Sequence, residues 1–139
     1  MKEHLLIVDD EQDILDFLER VFRKQYHIHR AGSGRQALSI LTSEHIDAII
    51  TDQKMPEMTG VQLLATLKGM VDDYDRIIKI LLSGYAEVPE IIAAIEKYGI
   101  HQYVVKPVDS KRLRQAVEDA RGQRQAGDWS LTTGTDPEY

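Results

Sequence analysis

Five polar side chains of types that bind metal ions and phosphate each follow a short apolar segment. Asp9 and Asp10 come after Leu5–Val8, Asp52 after Ala48–Thr51, Ser83 after Ile77–Leu82, and Lys106 after Tyr103–Val105. Carboxylate oxygens are ligands that Mg²⁺ prefers, a hydroxyl donates a hydrogen bond to an oxyanion, and an ammonium adds a positive point charge. If the fold brings these side chains together, they can support Mg²⁺-dependent chemistry on a phosphoryl group.

The apolar segments before these residues have the length and composition of buried parallel strands. In an open parallel sheet the carboxyl ends of the strands meet at one edge, and ligands bind in the crevice where the strand order reverses. That crevice would hold Asp9, Asp10 and Asp52. Because three carboxylates repel one another unless a cation lies among them, the sequence predicts a Mg²⁺ site there.

Asp52 lies at the centre of this predicted cluster and is the best candidate for a nucleophile. A carboxylate beside a metal ion can attack phosphorus and form an aspartyl phosphate. Lys106 would hold a phosphoryl oxygen by its charge, and Ser83 would do so by a hydrogen bond. The formal charges of the three carboxylates, one Mg²⁺ and Lys106 cancel.

Each of these residues also has a purely structural explanation. Asp9 and Asp10 precede a predicted helix and would cap it. Asp52, Ser83 and Lys106 suit turns at strand exits. Taken singly, these explanations are favoured, but their coincidence at four strand ends favours a functional site.

The chain as a whole alternates short segments rich in Ile, Leu and Val with longer segments of helical period, which predicts five βα units. The predicted strands are Leu5–Val8, His27–Arg30, Ala48–Thr51, Ile77–Leu82 and Tyr103–Val105. The first, third and fourth are nearly all apolar and belong in the middle of the sheet. We expect an α/β fold, a flavodoxin-like (βα)5 three-layer sandwich whose parallel sheet has the order 2-1-3-4-5.

The second predicted strand alternates His27 and His29 with Ile28. This alternation suits an edge strand with one side facing solvent. We therefore interpret the two histidines as solvent-facing residues rather than as a metal-binding pair.

Two of the predicted helices carry clear end signals. Ser33 is the predicted N-cap of the second helix. The fourth helix is predicted between Pro89 and Gly99, following the preference for Pro at helix starts and Gly after helix ends. Its inward-facing residues are predicted to be Ile91, Ile92 and Ile95.

The composition is typical of a single soluble globular domain. The 139 residues include 23 acidic and 17 basic side chains, giving a net charge of -6 that offers no attraction for nucleic acid or an anionic membrane. There is no cysteine and no apolar run long enough for a signal peptide or a membrane span, so a cytoplasmic location is expected. We predict one domain over residues 1–122 and a flexible tail or linker over 123–139, with Trp129 exposed.

Taken together, these motifs closely resemble the receiver domains of bacterial two-component response regulators, with chemotaxis regulators among them. The resemblance covers Leu5 to about Arg121. It rests on Leu-Leu-Ile-Val-Asp-Asp-Glu at 5–11, Thr51-Asp52 with Met55-Pro56 and Gly60, Leu82-Ser83-Gly84, and Tyr103-Val104-Val105-Lys106-Pro107.

The resemblance implies a role for each matched position. Asp9 and Asp10 would form an acidic pocket with Asp10 a direct Mg²⁺ ligand, and Asp52 would be both phosphoacceptor and ligand. The backbone carbonyl of Lys54 would complete the protein's share of the metal shell. The remaining implied roles are phosphoryl contacts from Ser83 and Lys106, a switch formed by Ser83 and Tyr103, and a cis Lys106-Pro107 peptide.

The resemblance also implies partners. A sensor histidine kinase or phosphotransfer protein would donate the phosphoryl group. The surface made by the fourth helix, fifth strand and fifth helix would then bind an output domain or a second copy. Direct nucleic-acid binding by this domain and membrane association are not expected.

Two other functions compete with this interpretation. A Mg²⁺-dependent phosphohydrolase would ordinarily need an acid two residues beyond the nucleophile, where this chain has Lys54. A receiver-like interaction module that is never phosphorylated would have lost a site residue, and none is lost.

Lys54 and Tyr85 are predicted to border the path of attacking water and to give a long-lived phosphorylated form.

Overall fold

The computed structural model describes residues 2–126, which form alternating strands and helices. The strands are β1 (Glu3–Val8), β2 (Tyr26–Ala31), β3 (Ala48–Asp52), β4 (Ile78–Ser83) and β5 (Gln102–Val105). The α-helices are α1 (Gln12–Phe22), α2 (Gly34–Ser43), α3 (Gly60–Lys68), α4 (Val88–Tyr98) and α5 (Ser110–Ala126). Short 3-10 helices at Tyr74–Arg76 and Tyr85–Glu87 precede β4 and α4. Within residues 2–126, no helix has the length and apolarity needed to cross a bilayer.

All five strands pair in parallel, in the order β2-β1-β3-β4-β5, which confirms the predicted sheet. The register places Thr51 opposite Val8, Asp52 opposite Leu82, and Val105 opposite Ser83. The last residues of four strands therefore meet at one edge of the sheet, which we call the carboxyl edge. The opposite edge, where the strands begin, is the amino edge.

Two hydrophobic layers cover the sheet, because successive side chains of each strand point to opposite faces. Leu6, Ile49 and Leu81 pack with residues of α2, α3 and α4. Ile7, Ile50 and Leu82 pack with residues of α1 and α5. Helices on both faces explain why the central strands read as continuous apolar runs.

Local capping fixes where α2 and α3 begin. Ser33 accepts a hydrogen bond from the backbone N–H of Gln36, as predicted for an N-cap. Thr59 and Gln62 form a reciprocal capping box at α3. A Cβ on Gly60 would lie only 2.7 Å from the backbone oxygen of Asp52, so glycine is needed where α3 starts against the end of β3.

Helix α4 has the predicted ends, with Pro89 in its first turn and Gly99 in the left-handed conformation at φ 61°. Ile91 and Ile95 are buried, but Ile92 is 51% exposed and the prediction that it faces the sheet is wrong. Consecutive helical residues are about 100° apart, so a stripe through Ile91 and Ile95 turns Ile92 outward.

Helix α5 continues to Ala126, past the predicted domain boundary at residue 122. The tail prediction is therefore wrong for residues 123–126. Gln123 is buried, and its side-chain oxygen accepts a 2.7 Å hydrogen bond from the Gln102 amide. This polar contact attaches the last turns of α5 to β5, although the sequence there lacks the apolar periodicity of a packed helix. Trp129 and the rest of the predicted tail lie outside the described residues.

Strand β2 lies at the edge of the sheet, as predicted. His27 is exposed, but His29 is half-buried, and its Nε2 lies 2.9 Å from Nδ1 of His4 on the neighbouring strand. The interpretation of both histidines as simply solvent-facing is therefore wrong for His29.

Candidate functional site

Three carboxylates converge at the carboxyl edge, between the ends of β1 and β3. One oxygen from each of Asp9, Asp10 and Asp52 lies within 4.8 Å of the others. Asp9 and Asp52 are buried, whereas Asp10 is exposed. The structure thus brings together the acidic group that the sequence predicted, at the point where the strand order reverses.

Lys106 completes this group from the end of β5. Its ammonium Nζ lies 2.9 Å from Oδ1 of Asp52, and its backbone N–H donates a 2.7 Å hydrogen bond to the carbonyl of Ser83. The Lys106–Pro107 peptide is cis, as the family resemblance implied. Lys106, Ser83 and the Asp52 carboxylate therefore lie at one edge of the sheet.

A solvent-open cleft of about 510 Å³ lies over Asp52. Its lining comprises Asp10, Glu11, Asp52, Lys54, Met55, Pro56, Gly84, Glu87 and Lys106. Glu11 and Glu87 were not singled out from the sequence, because nothing in their spacing distinguishes them from helix-start residues. Lys54 borders the cleft as predicted, whereas Tyr85 is 64% exposed and is not among the lining residues.

Burial dominates the electrostatics of the acidic pair. Burial, together with the charge of Asp52, raises the pKa of Asp9 to about 6, although the 2.9 Å hydrogen bond from the Glu11 N–H opposes this shift. Burial also raises the pKa of Asp52, although the bond to Lys106 opposes this. For Lys106, burial is the largest single effect and lowers the pKa, but the hydrogen bond to Asp52 and the charges of the nearby carboxylates together outweigh it, and the net shift is upward. A cation placed among the carboxylates would relieve this repulsion.

Two buried polar atoms of this site have no hydrogen-bond partner among the described residues: Oδ2 of Asp9 and Oγ of Ser83. Buried polar atoms are nearly always paired, so unpaired atoms at a cleft indicate a ligand that supplies the partner. An all-oxygen acidic group beside open space fits Mg²⁺, and a free hydroxyl near Lys106 fits a phosphoryl oxygen.

Sequence reasoning missed Gln53, which links the site to two helices. Its side chain is buried, its Oε1 accepts from the Val61 N–H at 2.8 Å, and its Nε2 donates to Glu90 on α4 at 2.9 Å. Tyr103 lies on β5 opposite Leu81 and is only 3% exposed, so its ring points into the protein. Gln53 thus connects the end of β3 to α3 and α4, and Tyr103 packs in the hydrophobic layer that includes residues of α4.

A doubly covered parallel sheet with this set of acids, hydroxyl and lysine at its carboxyl edge defines a phosphorylation-dependent signalling domain of the α/β class. Residues 5–118 match the sequence model of the response regulator receiver domain family. The chain belongs to this family, whose members act in two-component signalling.

Several well-described proteins are similar in sequence. Sporulation initiation phosphotransferase F of Bacillus subtilis is 35% identical over 119 residues, covering 85% of this chain and 93% of that protein. The hydrogenase transcriptional regulatory protein HoxA of Cupriavidus necator is 31% identical over 137 residues, covering 94% of this chain. The transcriptional regulatory protein GlrR of Escherichia coli is 36% identical over 121 residues, covering 86% of this chain. The chain spans only 28% of HoxA and 26% of GlrR.

Solved structures agree with the fold. A signal receiver domain of an HD domain-containing protein from Pseudomonas fluorescens has a TM-score of 0.79 at 30% identity, covering 91% of this chain and 99% of that one. A response regulator receiver domain from Clostridium thermocellum has a TM-score of 0.78 at 27% identity, covering 89% and 98%. The flavodoxin-like receiver fold is therefore confirmed.

Proposed function

We propose that this receiver domain is a phosphorylation switch whose acceptor is Asp52 and whose cofactor is Mg²⁺. The observation that carries the proposal is the position of the Asp52 carboxylate. It lies in a cleft, shares an acidic group with Asp9 and Asp10, and is 2.9 Å from the Lys106 ammonium. A carboxylate held between a cation site and a lysine is arranged to accept a phosphoryl group.

The residues divide the chemistry between them. Asp10, Asp52 and the backbone carbonyl of Lys54 would hold Mg²⁺, with Asp9 completing the acidic pocket. The bound ion supplies positive charge that offsets the negative charge of a phosphoryl donor. A carboxylate oxygen of Asp52 attacks phosphorus, the bond from phosphorus to the donor breaks, and the leaving group keeps the electron pair. Lys106 holds one of the phosphoryl oxygens by charge.

The Ser83 hydroxyl is the proposed start of the signal. A phosphoryl oxygen would give its unpaired Oγ an acceptor, and Tyr103, two residues before the strand partner of Ser83, would follow the resulting movement. Glu90 connects the same region to α4 through Gln53. We infer that phosphorylation changes the α4-β5-α5 face, where the exposed Ile92 offers an apolar contact to an output domain or second copy.

The proposed partners follow from the same reaction. A sensor histidine kinase or phosphotransfer protein would supply the phosphoryl group. HoxA and GlrR, which are named as transcriptional regulators, are about four times as long as the region they share with this chain. An output domain outside this sequence is accordingly proposed. Direct DNA binding by this domain is not proposed, because the full chain carries a net charge of -6.

Intact mass after incubation with acetyl phosphate and Mg²⁺ tests the acceptor. The parent should gain one phosphoryl group, and Asp52→Ala should gain none. Asp72→Ala is the matched control, because Asp72 is an exposed aspartate that precedes β4 at the amino edge. Undiminished labelling of Asp52→Ala would overturn the assignment, and an unlabelled parent would favour the unphosphorylated interaction module.

Backbone amide shifts on phosphorylation test the output surface. We expect shifts at Asp52 and also along α4, at Tyr103 and along α5. Shifts confined to the cleft, with α4 and Tyr103 unmoved, would contradict the proposed switch.

A further inference from the structure

Four of the five histidines lie together at the amino edge of the sheet, whereas the acidic cleft lies at the carboxyl edge. This histidine cluster comprises His4 on β1, His27 and His29 on β2, and His45 after α2. The ring of His4 is central: its centroid lies 4.8 Å from that of His27, 5.2 Å from that of His29 and 6.4 Å from that of His45.

The backbone fixes the positions of three members. His4 pairs in register with His27, and His29 is two residues further on, so all three side chains point to the same face of the sheet. Asp47 holds the backbone of His4 on both sides. Its carboxylate accepts from the His4 N–H at 2.8 Å, and its own N–H donates to the His4 carbonyl at 2.9 Å.

The nitrogens of His4 and His29 already meet. Nδ1 of His4 and Nε2 of His29 are 2.9 Å apart, which requires that they share a single proton. His4 and His29 are half-buried and His27 is exposed, so the cluster is accessible to a metal ion from solvent. Two nitrogens on one tetrahedral Zn²⁺ lie about 3.3 Å apart, so the rings need to separate by only about 0.4 Å and to turn by about 35° each to direct both lone pairs at one ion.

We propose that His4, His27 and His29 form a binding site for a borderline divalent transition metal ion such as Zn²⁺. The metal takes the place of the hydrogen bond between His4 and His29, and the ring that donated this bond then carries its proton on its other nitrogen. His27 is exposed, and its ring rotates to supply the third nitrogen. The imidazole donor set separates this site from the oxygen-only acidic cleft, because imidazole suits Zn²⁺ and carboxylate suits Mg²⁺.

The surrounding charges favour a cation. The carboxylate of Glu44 acts electrostatically on His29, and the carboxylate of Asp47 lies 2.9 Å from Nε2 of His45. This contact with Asp47 occupies Nε2 of His45, so His45 is not among the three proposed ligands. A bound metal would join β1 to the edge strand β2 and so stabilise the fold.

Zn²⁺ titration by calorimetry tests the proposal on the full 139-residue chain, with saturating Mg²⁺ present to occupy the acidic cleft. The parent should bind one Zn²⁺ per chain, and its Tm should rise with Zn²⁺. His29→Gln and His27→Gln should each weaken binding by at least about tenfold, the scale expected for loss of one nitrogen ligand. Co²⁺ should give the visible absorption of a nitrogen-ligated ion in the parent and lose it in His29→Gln.

Two matched controls keep the result specific. His45→Gln removes a histidine from the same cluster, and Asp10→Asn removes an oxygen ligand from the acidic cleft; both should bind Zn²⁺ within about twofold of the parent. Unchanged phosphorylation of His29→Gln would show that this variant is folded. No Zn²⁺ binding by the parent, parental affinity in His29→Gln, or loss of binding in Asp10→Asn would each overturn the proposal.

Discussion

Replacing Asp9 with Asn should stabilise the metal-free protein at neutral pH while weakening Mg²⁺ binding. Asp9 is completely buried, and its Oδ2 has no hydrogen-bond partner among the described residues. Asparagine has the same shape and keeps an oxygen to accept the bond from the Glu11 N–H. Its amide can also donate toward the Asp52 carboxylate, where the parent has two repelling charges.

The size of the effect follows from the Asp9 pKa, which burial raises from 3.8 to about 6. This shift is roughly two units, and each unit corresponds to about 1.36 kcal/mol, so ionising Asp9 costs the fold about 3 kcal/mol. The folded state holds this proton more tightly than the unfolded state. The stabilising contribution of the protonated acid is therefore complete below pH 3.8 and is lost as the pH rises through about 6.

Urea denaturation in EDTA, followed by far-UV circular dichroism, measures this difference. Asp9→Asn and the parent should have nearly equal free energies of unfolding near pH 4, and the variant should be about 3 kcal/mol more stable at pH 7. Added Mg²⁺ should stabilise the parent more than the variant. The exposed Asp10 provides the control, since its solvated carboxylate leaves Asp10→Asn with little gain. A variant no more stable than the parent at pH 7 would refute the reasoning.

Three further predictions concern lysines and the cleft. Burial lowers the pKa of Lys79 to about 7, so Lys79→Met should raise the free energy of unfolding at pH 7. In denaturant titrations, the parent should become more stable as the pH rises from 7 toward 10, and the variant should not. Lys106→Ala should still bind Mg²⁺ but lose the amide shifts on α4 when phosphorylated. Lys54→Asn should shorten the lifetime of phosphorylated Asp52, measured as its decay after donor removal. Tyr85→Ala should not, because Tyr85 does not line the cleft.

Much of the fold was predictable because apolar periodicity and parallel pairing are local signals with few solutions. The five strands, their order and the acids at the carboxyl edge all follow from short runs such as Leu5–Val8 and the residues after them. The errors lie where a pattern is locally ambiguous. Ile91 and Ile92 have the same hydrophobicity, and only the exact phase of α4 decides that one is buried and the other exposed.

Polar contacts between distant segments were not predictable. Gln53 and Glu90 are 37 residues apart, and Gln102 and Gln123 are 21 apart, yet each pair forms a buried or half-buried hydrogen bond. An amide side chain carries no sequence signal for its partner, because the partner is chosen by the packing of whole elements. For the same reason, the contact between His4 and His29 could not be predicted, because it depends on the register of β1 against β2.

The two ends of the sheet handle buried polar groups differently, and the difference bears on function. At the amino edge Lys79 is fully buried, but its Nζ donates to the Tyr74 carbonyl at 2.9 Å and lies 4.0 Å from the Tyr74 ring centroid, so this lysine is held by the protein itself. At the carboxyl edge, Asp9 and Ser83 keep buried oxygens without partners among the described residues. Lys79 thus has partners within the protein, whereas the two unpaired oxygens lie beside the cleft over Asp52. In the proposed switch, a cation and an anion bound there would supply these partners, and this local charge change would bias the conformation of the α4-β5-α5 face.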